Sequence, residues 1–224
     1  MEGSTDQNHG AVPSATIAFI DLAGFSAIAD VFGDRAAIAI LEIFENLVEQ
    51  NAGEGGRLIK WIGDEAMLAF PDPDAALISL GRLLPACRSD DRIPLTRSVL
   101  HHGPVIARGA DLFGASVNTA ARLSVLAKPG ELLATTAVAE AASARGIETH
   151  ALGPVALRSM RDKVPLFRIE LAEAIDPAWI DPVCKMAAPF GAFQREKPAG
   201  PWFCSTKCKE VFRNSPETYL DQSE

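Results

Sequence analysis

The segment from Arg57 to Phe70 places the tightest constraint on what this chain can fold into. Two short runs, Arg57 to Ile62 and Glu65 to Phe70, are separated only by Gly63-Asp64, a dipeptide suited to a tight turn. A β-hairpin is therefore expected. Upstream, Ala15 to Leu22 is apolar and β-branched and predicts a buried strand, broken at Gly24 before a long helical stretch. Within that stretch Ile40, Leu41, Phe44, Leu47 and Val48 recur at helical spacing, marking one buried face of a helix that runs to about Gln50. Downstream, Asp72 to Cys87 reads as a helix, Leu95 to His101 as a strand, and Ser116 to Leu126 as a helix closed by Lys128-Pro129-Gly130. Glu131 to Thr135 and Pro165 to Leu171 are further strands, with a helix between Ala137 and Arg145.

The order β-α-β-β-α-β is the split βαβ, or ferredoxin-like, arrangement, so the fold class is α+β. A right-handed crossover sets the second strand parallel to the first, and the hairpin returns the third strand beside the first. The end of the first strand then lies next to the hairpin turn. Asp21 and Asp64, distant in sequence, are expected to point into one small volume.

Composition narrows the partners. With 48% hydrophobic and 22% charged residues there is enough apolar mass for a full core. A formal charge of −8 and the absence of a basic run argue against nucleic acid. The longest strongly apolar stretch, Ala36 to Leu41, is too short to cross a bilayer, and Met1 to Pro13 lacks the pattern of a secretory signal. A soluble, cytoplasmic protein is expected. Three of the four cysteines, Cys184, Cys204 and Cys208, cluster near the C-terminus, which in a reducing compartment favours metal thiolates over disulfides. Cys87 lies in an apolar helical pattern and reads as a buried structural thiol. His101 and His102 are adjacent on a strand, so they point to opposite faces and do not read as a ligand pair.

Two carboxylates at one sheet edge are what a pair of Mg²⁺ ions needs, because magnesium takes one or two acidic side chains and fills its other positions with water and phosphate oxygens. Taken singly, Asp21 reads as a helix N-cap and Asp64 as a turn residue. Their joint placement points to phosphoryl chemistry.

Four ordered motifs carry a family resemblance: Phe19-Ile20-Asp21-Leu22-Ala23-Gly24-Phe25, Lys60-Trp61-Ile62-Gly63-Asp64, Asp111-Leu112-Phe113-Gly114 and Val117-Asn118-Thr119-Ala120-Ala121-Arg122. Over roughly Ala15 to Leu171 the chain resembles the class III adenylyl and guanylyl cyclase catalytic domain. The resemblance implies that Asp21 and Asp64 hold two Mg²⁺ or Mn²⁺ ions per active site, that Asn118 orients the ribose, and that Arg122 stabilises charge on the transferring phosphoryl group. It assigns base selection to Lys60 and Asp111, whose ammonium and carboxylate complement adenine, so ATP is the expected substrate and cyclic AMP the product. Only Pro104 to Ala110 separate the preceding strand from Asp111, a shorter segment than in many members. The metal-binding aspartates and the Asn/Arg pair of one site come from opposite chains in this family, which implies a head-to-tail homodimer.

Asp181-Pro182-Val183-Cys184-Lys185-Met186 and Phe203-Cys204-Ser205 resemble the YHS and TRASH metal-binding domains. Thiolates favour zinc, copper(I) or another soft metal, and a segment of this size needs such a staple. Three cysteines leave a tetrahedral ion one ligand short, open to water, a carboxylate or an exchangeable partner. Here the chain has Lys185 where the family usually has glycine. The expected organisation is a flexible tail over residues 1 to 14, the catalytic domain over 15 to 172, a linker over 173 to 180 and the cysteine-rich domain over 181 to 224. An active cyclase tuned by metal at the cysteines is the leading expectation. The alternatives are an inactive cyclase-like nucleotide-binding or dimerisation module coupled to a heavy-metal sensor, and a heavy-metal storage or delivery protein.

Overall fold

A computed structural model describes residues 13–53, 55–158, 160–189 and 200–219. Nearly all of the expected N-terminal tail and part of the cysteine-rich segment lie outside the described residues. Strand β1 (Ser14–Leu22) is followed by helices α1 (Phe25–Phe32) and α2 (Asp34–Asn51), then β2 (Arg57–Ile62), β3 (Glu65–Phe70) and α3 (Pro73–Ser89). Next come β4 (Thr96–Pro104), β5 (Ile106–Arg108), β6 (Asp111–Phe113), α4 (Ala115–Ser124), β7 (Leu132–Thr135) and α5 (Thr136–Ala144). Strands β8 (Thr149–Val155) and β9 (Val164–Ile169) complete the sheet, and α6 (Thr206–Asn214) and α7 (Pro216–Tyr219) follow.

Seven strands form one sheet in the order β2-β3-β1-β4-β7-β9-β8, and β5 and β6 pair as a separate hairpin. The first four strands of that order are the expected ferredoxin-like core. β1 sits antiparallel between β3 and β4, while β4 and β7 run parallel. Ile20 and Leu22 of β1 pack with Phe44 and Val48 of α2, Leu77 and Leu80 of α3, and Val138 of α5 on one face. Ile17 and Phe19 pack with Met67, Val99 and, from α4, Ala120 and Leu123 on the other. Period-two alternation along β1 thus feeds two helical layers.

The hairpin matches its expected bounds residue for residue, and Trp61 meets Phe44 edge-on at 5.6 Å, tying it to α2. Asp72 caps α3 by accepting from the Ala75 N–H at 2.8 Å, with Pro73 at the first turn. The long helical stretch after Gly24 is two helices rather than one. Gly33, at φ 86°, ends α1 and lets α2 restart at Asp34. The β5–β6 pair is the shortened hairpin before Asp111, whereas β8 was not expected. β8 lies at the sheet edge with a mostly half-exposed or exposed pattern, so little burial marks it in the sequence.

The expected linker contains a single helical turn, Pro177–Trp179, capped by Asp176, and Trp179 is buried. The cysteine-rich segment shares a third core with α1 and α2: Ile28 and Ala37 pack with Val183, Cys184 and Cys208, flanked by Phe25, Phe203 and Phe212. Among the described residues no helix is long and apolar enough to cross a membrane.

Candidate active site and metal centre

Asp21, the last residue but one of β1, stands directly opposite Glu65, the residue after the β2–β3 turn, so Asp64 in that turn is its neighbour. Burial, reinforced by the charge of Asp21, pushes the Asp64 carboxyl up to about 6. Burial also raises Glu65, beside Ser124 at the end of α4. On the other side of Asp21 stands Arg97 of β4, its register partner, and the guanidinium donates to Oδ2 of Asp21 through Nε at 2.9 Å and through Nη2. Three acidic groups and one arginine therefore share the sheet edge. Sequence reasoning missed Arg97 and Glu65, which become visible only once register is known.

The second pair also meets. Lys60 Nζ donates to Asp111 Oδ2 at 2.7 Å, and the backbone N–H of Leu112 donates to Asp111 Oδ1 at 2.8 Å. The hydrogen bond from Lys60, with that of Leu112, holds the Asp111 carboxyl below its ordinary value. Residues directly opposite in antiparallel strands share a face, and Lys60 stands opposite Met67 in the α4-side core. Asp21 belongs to the same face by alternation with Phe19 and Ile17. The shortened segment before Asp111 is a compact β5–β6 hairpin with Gly109 at φ 64° in its turn, anchored by a bond from Arg57 to the Ala110 carbonyl.

Asn118 and Arg122 lie on one side of α4, while Ala120 and Leu123 face the core. Neither side chain bonds to any of the four residues above or to another side chain among the described residues. His101 and His102 each meet a threonine hydroxyl, Thr135 at 2.8 Å and Thr16 at 3.0 Å, and burial lowers His101 to about 4. The two rings thus find different partners on opposite faces of β4, as their adjacency indicated. Burial pushes the Cys87 thiol up to about 12, which leaves it unreactive.

At the C-terminal end, Cys184, Cys204, Cys208 and Asp181 offer ligand atoms that all lie within 4.8 Å of one another. The Cys204 sulfur is 3.4 Å from that of Cys184 and 3.7 Å from that of Cys208. Asp181 is fully buried and accepts from the backbone N–H groups of Val183 and Cys204, each at 2.8 Å. No ion pair offsets its charge among the described residues. Three sulfurs and a carboxylate with that spacing fit a four-coordinate soft cation. Asp181 stands in the sequence motif around Cys184, but only the fold shows it to be the carboxylate that faces the cysteines.

The chain is similar to known proteins in sequence and in fold. The chain is 32% identical over 158 residues to a pH-sensitive adenylate cyclase of Mycobacterium tuberculosis, covering 69% of this chain and 40% of that protein. It is 33% identical over 125 residues to an adenylate cyclase of Streptomyces coelicolor, covering 55% and 33%. Among solved structures, an adenylate cyclase of Trypanosoma brucei in its monomeric state superposes with a TM-score of 0.66 at 20% identity, over 73% of this chain and 91% of that one. The adenylyl cyclase CyaB of P. aeruginosa gives 0.61 at 20% identity, over 72% and 95%. The fold is that of nucleotide cyclase catalytic domains. The chain spans less than half the length of the curated relatives named here. No protein-family model matches the chain.

Proposed function

We propose that this chain is an adenylate cyclase that converts ATP to cyclic AMP and pyrophosphate at sites shared between two copies of itself. The observation that carries the proposal is the meeting of Asp21 and Asp64 at the end of β1, beside the hairpin turn. A carboxyl pushed up to about 6 by burial and a like-charged neighbour is the setting a divalent cation relieves, so the donor set fits Mg²⁺ or Mn²⁺. Two such ions held by Asp21 and Asp64 would supply Lewis-acid activation of the ribose 3′-hydroxyl and charge neutralisation on the triphosphate.

The chain's own side chains supply the rest. Lys60 donates to the adenine ring nitrogen and Asp111 accepts from its 6-amino group, a pattern that guanine reverses. Their mutual bond at 2.7 Å keeps both on one face of the sheet in the absence of a base. Arg122 directs a permanently charged, multiply donating group at the phosphoryl being transferred, and Asn118 orients the ribose. Among the described residues neither has a side-chain partner within its own copy, which suits presentation to the site of a second copy. The three cysteines and Asp181 would hold zinc or another soft metal. ATP as substrate and free thiols suit a cytoplasmic setting.

The test is to incubate the protein with ATP and Mg²⁺ or Mn²⁺ and to measure cyclic AMP against an Asp64→Asn variant. Product from the native chain and little from the variant is expected. Equal product from both defeats the site assignment, and product from neither, in a verified dimer, leaves a nucleotide-binding module instead.

A further inference from the structure

The cysteine cluster is built onto the stretch of backbone that carries Asp21. Gly24, three residues beyond Asp21, adopts φ 74°, and a Cβ there would come within 2.9 Å of Lys185 Cγ and 3.0 Å of the Cys184 carbonyl atoms. Only glycine permits both the conformation and the approach. The Lys185 carbonyl accepts from the Leu95 N–H at 3.1 Å, and the Leu95 carbonyl accepts from the Ala23 N–H at 2.8 Å. Two short connections, one by packing and one by hydrogen bonds, thus join the residue after Cys184 to the residues after Asp21. Phe25 then touches both the main core and the core around Cys184 and Cys208.

Lys185 is the one non-glycine residue with positive φ, at 58°, among the described residues. A side-chain-bearing residue is disfavoured in that conformation, so neighbours must hold it there. They do: its N–H donates to the Asp181 carbonyl at 3.0 Å, its Nζ to the Pro182 carbonyl at 2.7 Å, and its carbonyl receives Leu95. Asp181, which accepts the Lys185 N–H, and Cys184, the residue before Lys185, both belong to the ligand cluster.

We propose that metal at the cysteine cluster activates the catalytic site by fixing the Lys185 turn, and through it the Ala23–Gly24 backbone, so that Asp21 is presented beside Asp64 and divalent cations bind there more tightly. This rests on the cyclase and metal-centre readings above. The turn ordered by the first metal is ordering that the second need not supply, which is positive coupling without a change of fold. Coupling is reciprocal: Mn²⁺ at the aspartates tightens zinc at the cysteines by the same factor.

The experiment uses the full chain, stripped of metal and then loaded with one equivalent of zinc. Amide hydrogen exchange is followed at Ala23 and Leu95, and Mn²⁺ binding by electron paramagnetic resonance in the presence of a non-cyclisable ATP analogue. Zinc is expected to slow exchange at both amides by about tenfold and to tighten Mn²⁺ by about fivefold or more. A Cys204→Ser/Cys208→Ser variant, shown to be folded by retained protection of Leu68 in β3, loses both responses. Bound zinc with unchanged exchange or with unchanged or weaker Mn²⁺ binding overturns the coupling while the metal centre stands. Failure to bind zinc overturns both. Both responses without cyclic AMP formation uphold the coupling and sink the cyclase reading alone.

Discussion

Arg97 and Asp21 are register partners on adjacent antiparallel strands, and the guanidinium holds the carboxylate from one side while Asp64 crowds it from the other. The fold has placed one cation beside two carboxylates whose like charges oppose each other. Arg97 thus offsets part of the charge repulsion that the site carries when no divalent ion is bound.

Truncation at that position separates the two roles. Arg97→Ala removes a half-buried charge-assisted bond, a loss of about 1–2 kcal/mol, and lowers the melting temperature of the metal-free protein by roughly 2–8 °C. Saturating Mn²⁺ should narrow the difference, because the ion then supplies the positive charge that Asp21 has lost. Thermal melts with and without Mn²⁺ decide it, and a gap that Mn²⁺ leaves untouched means that the ion and Arg97 do not share Asp21.

Asp64 sets a pH dependence of opposite sign to that of an ordinary paired carboxylate. Its folded value of about 6 lies above the value near 4 expected in an unfolded chain. The protonated form is therefore favoured by folding, and this contribution is complete below about pH 4 and lost as pH rises through about 6. In the metal-free protein Asp64→Asn should raise the melting temperature at pH 7 and flatten its dependence between pH 4 and 7. Divalent binding shows the converse: below about pH 6 a proton competes for Asp64, and apparent Mn²⁺ affinity falls by roughly tenfold per unit. Paired melting and Mn²⁺-binding series across that range test both halves.

Base selection is predicted to part from stability at Lys60 and Asp111. The pair is partly exposed, with side chains 39% and 31% accessible, so breaking it costs no more than about 1 kcal/mol. Lys60→Met or Asp111→Asn should shift the melting temperature by a few degrees at most. The ratio of kcat/KM for ATP over GTP should fall by about tenfold or more, because each charged partner of adenine is removed in turn. An unchanged ratio would place base recognition elsewhere.

How much of this was legible in the sequence follows from what each residue needs in order to be recognised. The hairpin could be read to the residue because Gly63-Asp64 interrupts two runs that have no other way to pair. The ferredoxin-like order then puts Asp21 beside Asp64, since topology alone fixes which strand ends are neighbours. Gly33 was not read as a break, because apolar periodicity continues through it and only its backbone angle ends the helix. Arg97 carries no local signal: its meaning is its register against Asp21. Lys185 carries no sequence signal of its conformation: its φ of 58° is one that glycine adopts more readily and that only the surrounding hydrogen bonds reveal.

The arrangement of Asn118 and Arg122 yields the most decisive prediction. Their side chains bond to none of the metal-site or base-site residues of their own copy, so under the head-to-tail arrangement each active site takes its carboxylates from one chain and its Arg122 from the other. Arg122→Ala should reduce kcat by about 10²–10³ with little change in melting temperature, since no partner is orphaned. Asp64→Asn is inactive for a different reason and in the other chain's half of the site. Mixing the two variants in equal amounts and allowing exchange makes half of the dimers mixed, each with one intact site and one doubly defective site. Activity should then recover to about a quarter of the native rate per chain. If each site were built from a single copy, the mixture would stay as inactive as its components, and the shared-site arrangement would have to be abandoned.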